Sequence, residues 1–268
     1  MSIAKLNNLN IYYEVHGEGE PLILIAGFTA DSQSWQFVIK DLSKHFKVII
    51  FDNRGVGRTE ATDPPYTIEQ MADDTKSLMD YLNIHAAHVL GHSMGGYIAQ
   101  KLAIKYPERV YKLILCSTSP YATQRNNILF QGLLELSQNG TNKKLLWKIF
   151  LPWLYTIKSI NKSNFVNSYL KFVLDYPYQQ TQKGFEGQIH AITNFNVIDD
   201  LSKIQSETLI LVGEEDILFP PQEVDKLYKG ITRATYPVYV EQAAHSIHNE
   251  RPKDFYHTVI GFIFKFVR

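Results

Sequence analysis

The chain has 268 residues, 45% hydrophobic and 20% charged, enough apolar material for one large α/β domain or two small ones. Lys+Arg and Asp+Glu stand at 27 each, so no excess of positive charge points to nucleic acid or to an anionic membrane surface. The single cysteine, Cys116, excludes an internal disulfide and closes an apolar run, so a small buried hydrophobe is expected there.

Met1 to Asn10 holds no apolar core of signal-peptide length, and no apolar run reaches about 18 residues. No membrane span and a cytoplasmic location are therefore expected. Residues 9–15 alternate as a strand does, and Gly17 and Gly19 turn the chain. Leu22 to Ala26 is a short apolar strand. Trp35 to Leu42 reads as a helix. Lys47 to Phe51 is another strand, followed by the loop Asp52-Asn53-Arg54-Gly55-Val56-Gly57. Thr67 to Leu82 is helical, with Ile68, Met71, Leu78 and Leu82 inward. The run ending at Leu90 leads into Gly91-His92-Ser93-Met94-Gly95-Gly96. The helix behind it carries Ile98, Ala99, Leu102, Ala103 and Tyr106 on one face, and Pro107 stops it. Val110 to Cys116 is the next strand.

From about 120 to 196 the pattern changes to helices only, rich in Asn, Gln and aromatics. Strands return at Thr208 to Gly213 and Thr235 to Val240, and a closing helix runs from about Lys253 to Val267. Apolar strands alternating with amphipathic helices predict a mostly parallel sheet with helices on both faces. Residues 1–119 and 197–268 form the predicted core domain, and 120–196 a helical lid over the carboxyl edge of the sheet. Lys148, Pro152 and its short length argue against a membrane span for the apolar stretch Leu145 to Ile157. It is expected to supply lid core and pocket wall, with Trp147, Phe150 and Trp153 as candidate pocket residues. The closing helix is apolar nearly all round (Val259, Ile260, Phe262, Ile263, Phe264, Phe266), so burial against the sheet is expected, with a homodimer contact as the alternative.

Gly-x-Ser-x-Gly occurs in ordinary turns, but a strand before it and a helix behind it are the context of a nucleophile elbow. There the turn lifts the Ser93 hydroxyl clear of the strand end. A Cβ at Gly91 or Gly95 would collide with the neighbouring chain. A serine hydroxyl needs a general base, and the base needs an orienting partner. Both belong on loops at the carboxyl ends of strands. Gly213-Glu214-Glu215-Asp216 follows one late strand, and Glu241-Gln242-Ala243-Ala244-His245 the other. Asp216, next to Ile217-Leu218-Phe219, is better placed to turn inward than Glu214 or Glu215, with a helix-capping role as its alternative. Of the nine histidines, His245 comes straight off a strand. His248 is its rival, and His92 is expected to pack under the elbow. Attack on a carbonyl makes an oxyanion that needs two preorganised donors. The Met94 N–H is one candidate; the Phe28 N–H, in the loop Gly27-Phe28-Thr29, is the other.

With Gly27-Phe28, Asp52-x-Arg54-Gly55-x-Gly57, the Ser93 elbow, Gly213-x-x-Asp216 and His245 followed by Glu250-x-Pro252, the chain resembles the α/β-hydrolase superfamily along nearly its whole length. Within it the chain looks most like the lidded serine esterases and the 3-oxoadipate enol-lactonase-like group. The resemblance implies an eight-stranded, mostly parallel sheet, a lid after the sixth strand and a Ser93–His245–Asp216 triad, and it supports Phe28 and Met94 as the oxyanion hole. Many members have His before the glycine of the first loop; here it is Ala26, which leaves the backbone donors untouched. A serine nucleophile disfavours dehalogenase and epoxide hydrolase chemistry, which in the superfamily uses Asp. The expected activity is hydrolysis of an ester-like bond in a small to medium, largely apolar substrate, with no cofactor or metal implied. Lactone opening, carbon–carbon bond hydrolysis and perhydrolysis stay open for the same triad. A ligand-binding protein without turnover is the alternative of another class.

Overall fold

The computed structural model describes residues 2–6 and 9–265. In chain order the strands are β1 (Ser2–Leu6), β2 (Leu9–His16), β3 (Glu20–Ile25), β4 (Phe46–Phe51), β5 (Ala87–His92), β6 (Val110–Cys116), β7 (Glu207–Gly213) and β8 (Val238–Val240). The helices are α1 (Ile39–Leu42), α2 (Ile68–Tyr81), α3 (Met94–Lys105), α4 (Gln124–Gln138), α5 (Lys143–Phe150), α6 (Ile157–Ile160), α7 (Phe165–Asp175), α8 (Gln182–Thr193), α9 (Pro221–Gly230), α10 (Ile247–Glu250) and α11 (Pro252–Phe264).

The strands form one 8-stranded sheet in the order β1-β2-β4-β3-β5-β6-β7-β8. β2 pairs antiparallel with both β1 and β4, and the other pairings are parallel. Side chains alternate along a strand, so each apolar run feeds two cores. Ile23, Ile25, Leu113, Leu115, Ile210 and Val212 join α2 and α3 through Met71, Leu78, Ile98 and Leu102. Leu22, Leu24, Ile114, Leu209 and Leu211 join Leu42, Phe255, Val259 and Ile263 of α1 and α11. Cys116 is fully buried in this second core. Because β3, β5, β7 and β8 run parallel, the loops at their carboxyl ends emerge along one edge, where ligands bind in such sheets.

Between β6 and β7 the chain runs through α4 to α8. A bridge between Tyr121 and Asn196 closes the base of this insert. Thr123, Asn142, Thr156 and Thr181 begin α4, α5, α6 and α8, each side-chain oxygen accepting a backbone N–H of the first turn. These caps suit short helices whose own propensity is weak.

The structure corrects the predicted elements in three places. β1 pairs with β2 although Ser2–Leu6 lacks a clear strand pattern: it is an edge strand, and only Ala4 is buried. The predicted helix Trp35 to Leu42 is a 3-10 turn, Ser32–Trp35, followed by α1 alone. Asp31 caps the turn by accepting from Gln33 N at 2.9 Å, and Val38 leaves helical geometry at φ −122°. The predicted strand Thr235 to Val240 shrinks to β8. Pro237 has no N–H to give a ladder, and the chain before it joins β7 through Thr235 N to Thr208 O and Thr208 N to Arg233 O rather than through a paired strand. The closing helix buries Phe255, Val259, Ile260 and Ile263, while Phe264 is exposed. Its predicted continuation to Val267, with Phe266, lies outside the described residues. No helix among the described residues is long and apolar enough to cross a membrane.

Candidate active site

Ser93 stands between β5 and α3 at φ 56° and ψ −121°, a conformation costing a non-glycine residue about 1–3 kcal/mol. The surroundings enforce it. A Cβ on Gly91 would sit 2.2 Å from Gly95 O, and one on Gly95 would sit 2.0 Å from Ile25 O. The elbow is thus pressed between α3 and β3, and only glycine permits the approach. Ser93 N donates to Cys116 O at 2.9 Å, and Thr118 Oγ1 donates to Ser93 O at 2.9 Å. The backbone is held on both sides while the side chain borders a cavity of about 640 Å³.

His245 borders the same cavity. Its Nδ1 lies 3.1 Å from Asp216 Oδ2, and both side chains are almost entirely removed from solvent. An ionised carboxylate can only accept, so in this pairing Nδ1 is the donor and in the neutral ring Nε2 is the free acceptor. Asp216 Oδ1 accepts Leu218 N at 2.9 Å and Phe219 N at 3.0 Å. Asp216 thus holds its own loop as well as the imidazole, but it does not cap α9, which follows Pro220 without a side-chain cap. Glu214 and Glu215 are exposed. Glu214 N to Val240 O and Glu215 N to Ala243 O, at 3.0 and 2.9 Å, tie the acid's loop to the histidine's. No hydrogen bond closes between Ser93 and His245 among the described residues; such bonds are often long in the absence of substrate.

Two other imidazoles surround this pair. His92 lies with its ring centroid 4.7 Å from His245, and its Nε2 donates to His245 O at 2.9 Å. Burial, then the neighbouring imidazoles of His248 and His245, pushes His92 far below the usual histidine range. It stays neutral, which matches its single donated bond. His248 packs on Trp35 at 4.9 Å, and burial brings its pKa down to about 3. It makes no bond to Asp216.

On the other wall of the elbow, a Cβ on Gly27 would meet Ser93 Cβ at 3.1 Å, so this loop runs directly beside the serine. The backbone N–H groups of Phe28 and Met94 donate to no protein acceptor among the described residues. The Phe28 ring packs on Phe130, Phe150 and Phe185 of the insert, with centroids 5.1 to 6.1 Å away. Trp147 and Phe150 line the cavity. Trp153 lies outside that lining: a new 3-10 turn, Leu151–Trp153 with Pro152 within it, follows α5, and the indole packs half-buried against the apolar core.

Three site neighbours have contacts that the sequence reading did not assign, although Glu250 stood in one of its motifs. Gln188 of α8 is fully buried; its Oε1 accepts Thr29 N at 3.1 Å and its Nε2 donates to Arg54 O at 3.1 Å. The insert thereby holds the loop that carries the Phe28 N–H. Glu250 accepts Thr156 N, Thr156 Oγ1 and Ala244 N at 3.0, 2.8 and 2.8 Å, fastening the insert to the His245 loop. Asp31 lines the cavity and accepts the Tyr176 hydroxyl from the end of α7. Only Asp31 had a local signal, the capping pattern Asp-Ser-x-Ser.

The family model of the alpha/beta hydrolase fold matches residues 20–252, and the chain belongs to that family. It is an α/β-hydrolase. The enol-lactonase from Burkholderia xenovorans LB400 superposes with a TM-score of 0.89 at 27% identity, covering 98% of this chain and 100% of that one. MGS-M2, an alpha/beta hydrolase from a Medee basin deep-sea metagenome library, gives a TM-score of 0.90 at 25% identity, with 100% and 98% covered. In sequence, a Caulobacter sp. (strain K31) protein that carries the name carbamate hydrolase RutD is 26% identical over 263 residues, 94% of this chain and 95% of that one.

Proposed function

We propose that the protein is a serine hydrolase that cleaves ester-like bonds through an acyl-enzyme on Ser93. One observation carries the reading: a serine held in strained geometry at a cavity wall that it shares with an imidazole already fixed to a buried carboxylate. His245 Nε2 takes the Ser93 proton as Oγ attacks the carbonyl. The Phe28 and Met94 N–H groups receive the developing oxyanion, the second of them strengthened by the N-terminus of α3. His245 then protonates the leaving oxygen and deprotonates the water that releases the acid. Asp216 keeps the imidazole in the required tautomer and stabilises its charged form.

The insert over residues 120–196 serves as a lid, its aromatics facing the acyl group and excluding water. The substrate is a small to medium, largely apolar molecule. Lactones fall within this chemistry, since ring opening is ester hydrolysis, and the similarity to an enol-lactonase supports including them. Stopped-flow hydrolysis of a p-nitrophenyl ester tests the scheme. A burst of p-nitrophenol equal to the enzyme concentration, followed by slower turnover, is expected. Absence of turnover across acyl lengths from acetate to decanoate would refute it.

A further inference from the structure

We propose that the cavity sorts substrates by charge: it accepts uncharged acyl groups and rejects those that end in a carboxylate, with Asp31 as the specificity-determining residue. This rests on the serine-hydrolase reading and names its substrate class.

The ionisable groups along the cavity are divided by sign and exposure. Its lysines, Lys143 and Lys162, are exposed to solvent. Its carboxylates are less exposed: Glu250 is half-buried and Asp31 is only 7% exposed. No arginine lines it. His92 and His248 are kept neutral by burial, and His245 must be neutral to act as base. An incoming carboxylate therefore finds no buried counter-ion.

Glu250 is occupied by the two donors of Thr156 and by Ala244 N. Asp31 is less well compensated. Oδ1 accepts Gln33 N at 2.9 Å and Oδ2 accepts the Tyr176 hydroxyl. The nearest cation, Arg58, is 3.9 Å from Oδ2, but that guanidinium also serves Asp52 at 3.1 Å and Glu14 at 3.9 Å. Ser32 N and Arg58 N, at 2.9 and 2.8 Å, fix Asp52 beneath it. His16 pairs with Glu14 at 2.8 Å on the half-exposed side of the cluster. Three carboxylates thus share one guanidinium, and the one that lines the cavity lies farther from it than Asp52 and no nearer than Glu14. A carboxylate on the acyl chain loses water, gains no partner and meets a like charge. A neutral chain lies against Phe130, Trp147, Phe150 and Tyr169 at no such cost.

Like charges about 6–8 Å apart at an effective dielectric constant of about 20 change a rate roughly 10–100-fold. The test compares kcat/KM for p-nitrophenyl hexanoate with that for mono-p-nitrophenyl adipate, in which a carboxylate replaces the terminal methyl of the same six-carbon chain. The hexanoate ester should win by at least about tenfold. Asp31→Asn, which keeps a hydrogen-bond acceptor, should narrow the ratio about tenfold or more. Tyr176→Phe, which loses the same bond but keeps the charge, should leave the ratio standing. Equal turnover of both esters by the parent enzyme overturns the proposal, and an unchanged ratio in Asp31→Asn overturns the role of Asp31. Should Asp31→Asn fail to fold, the parent enzyme decides: hexanamide should raise its Tm and adipamate should not, and equal shifts count against charge selection. If neither ester is turned over, the hydrolase reading fails, while the two amides still report on the cavity.

Discussion

The proposed nucleophile and the proposed base of this site are held in opposite ways. Ser93 is fixed by its immediate surroundings: glycines at 91 and 95, the Ile25 carbonyl under the turn, and a bond from its own N–H to the next strand. His245 is fixed from a distance. Asp216 is 29 residues away, and His92, which holds its carbonyl, is 153 away. Its neighbours Ser246 and Ala244 are tied to the insert through Leu154 O at 3.0 Å and through Glu250, which also grips Thr156. The serine should therefore be insensitive to the insert, and the imidazole should depend on it.

The largest expected effect is at the nucleophile. Ser93→Ala should lower kcat by about 10⁴–10⁶-fold and leave Tm near the parent value, since an oxygen is removed from a strained residue without altering packing. Ester hydrolysis at parental rate by that variant would mean that another residue performs the chemistry. Next comes the local clamp. Gly95→Ala drives a methyl into the Ile25 carbonyl, so urea unfolding should shift down by about 1–3 kcal/mol or more. An unshifted midpoint would show that the elbow can relax.

Glu250→Ala tests the distant clamp. It leaves Thr156 N and Ala244 N without their acceptor. A loss in kcat of about 10–100-fold is expected as the imidazole drifts, with Glu250→Gln recovering much of it because an amide oxygen still accepts from Thr156. Equal kcat in the parent and Glu250→Ala would detach the base from the insert. The smallest effect concerns pH. His248 has a folded pKa of about 3, below the ordinary unfolded value near 6.5, so the unfolded chain binds the extra proton between these limits. Stability contributed by this group is present above about pH 6.5 and is lost as pH falls towards 3, by up to about 1.4 kcal/mol per unit. His248→Gln should flatten the acid side of the stability profile by that amount, and an unaltered slope would contradict the burial cost assigned to His248.

Local and distant control also separate what is legible in the sequence from what is not. Apolar runs such as Leu22 to Ala26 and Val110 to Cys116 disclose the central strands because both sheet faces are covered. The elbow is legible because its motif lies within six residues, although the contacts with Ile25 O and Cys116 O that brace it come from neighbouring strands. β1 is not, since an edge strand with one buried residue carries little pattern. Among the insert aromatics, sequence spacing cannot tell Trp147 and Phe150 from Trp153; a proline between them decides which side each presents. Gln188 and Glu250 act across 159 and 94 residues, on Thr29 and Thr156, and nothing near them in the chain announces those partners.

The most direct measurement is the intact mass of the protein after treatment with a serine-directed fluorophosphonate, followed by peptide mapping. One adduct on the peptide containing Ser93, absent from Ser93→Ala and formed far more slowly in His245→Ala, is the predicted result. Labelling of any other serine, or labelling of Ser93 at full rate without His245, would contradict the account.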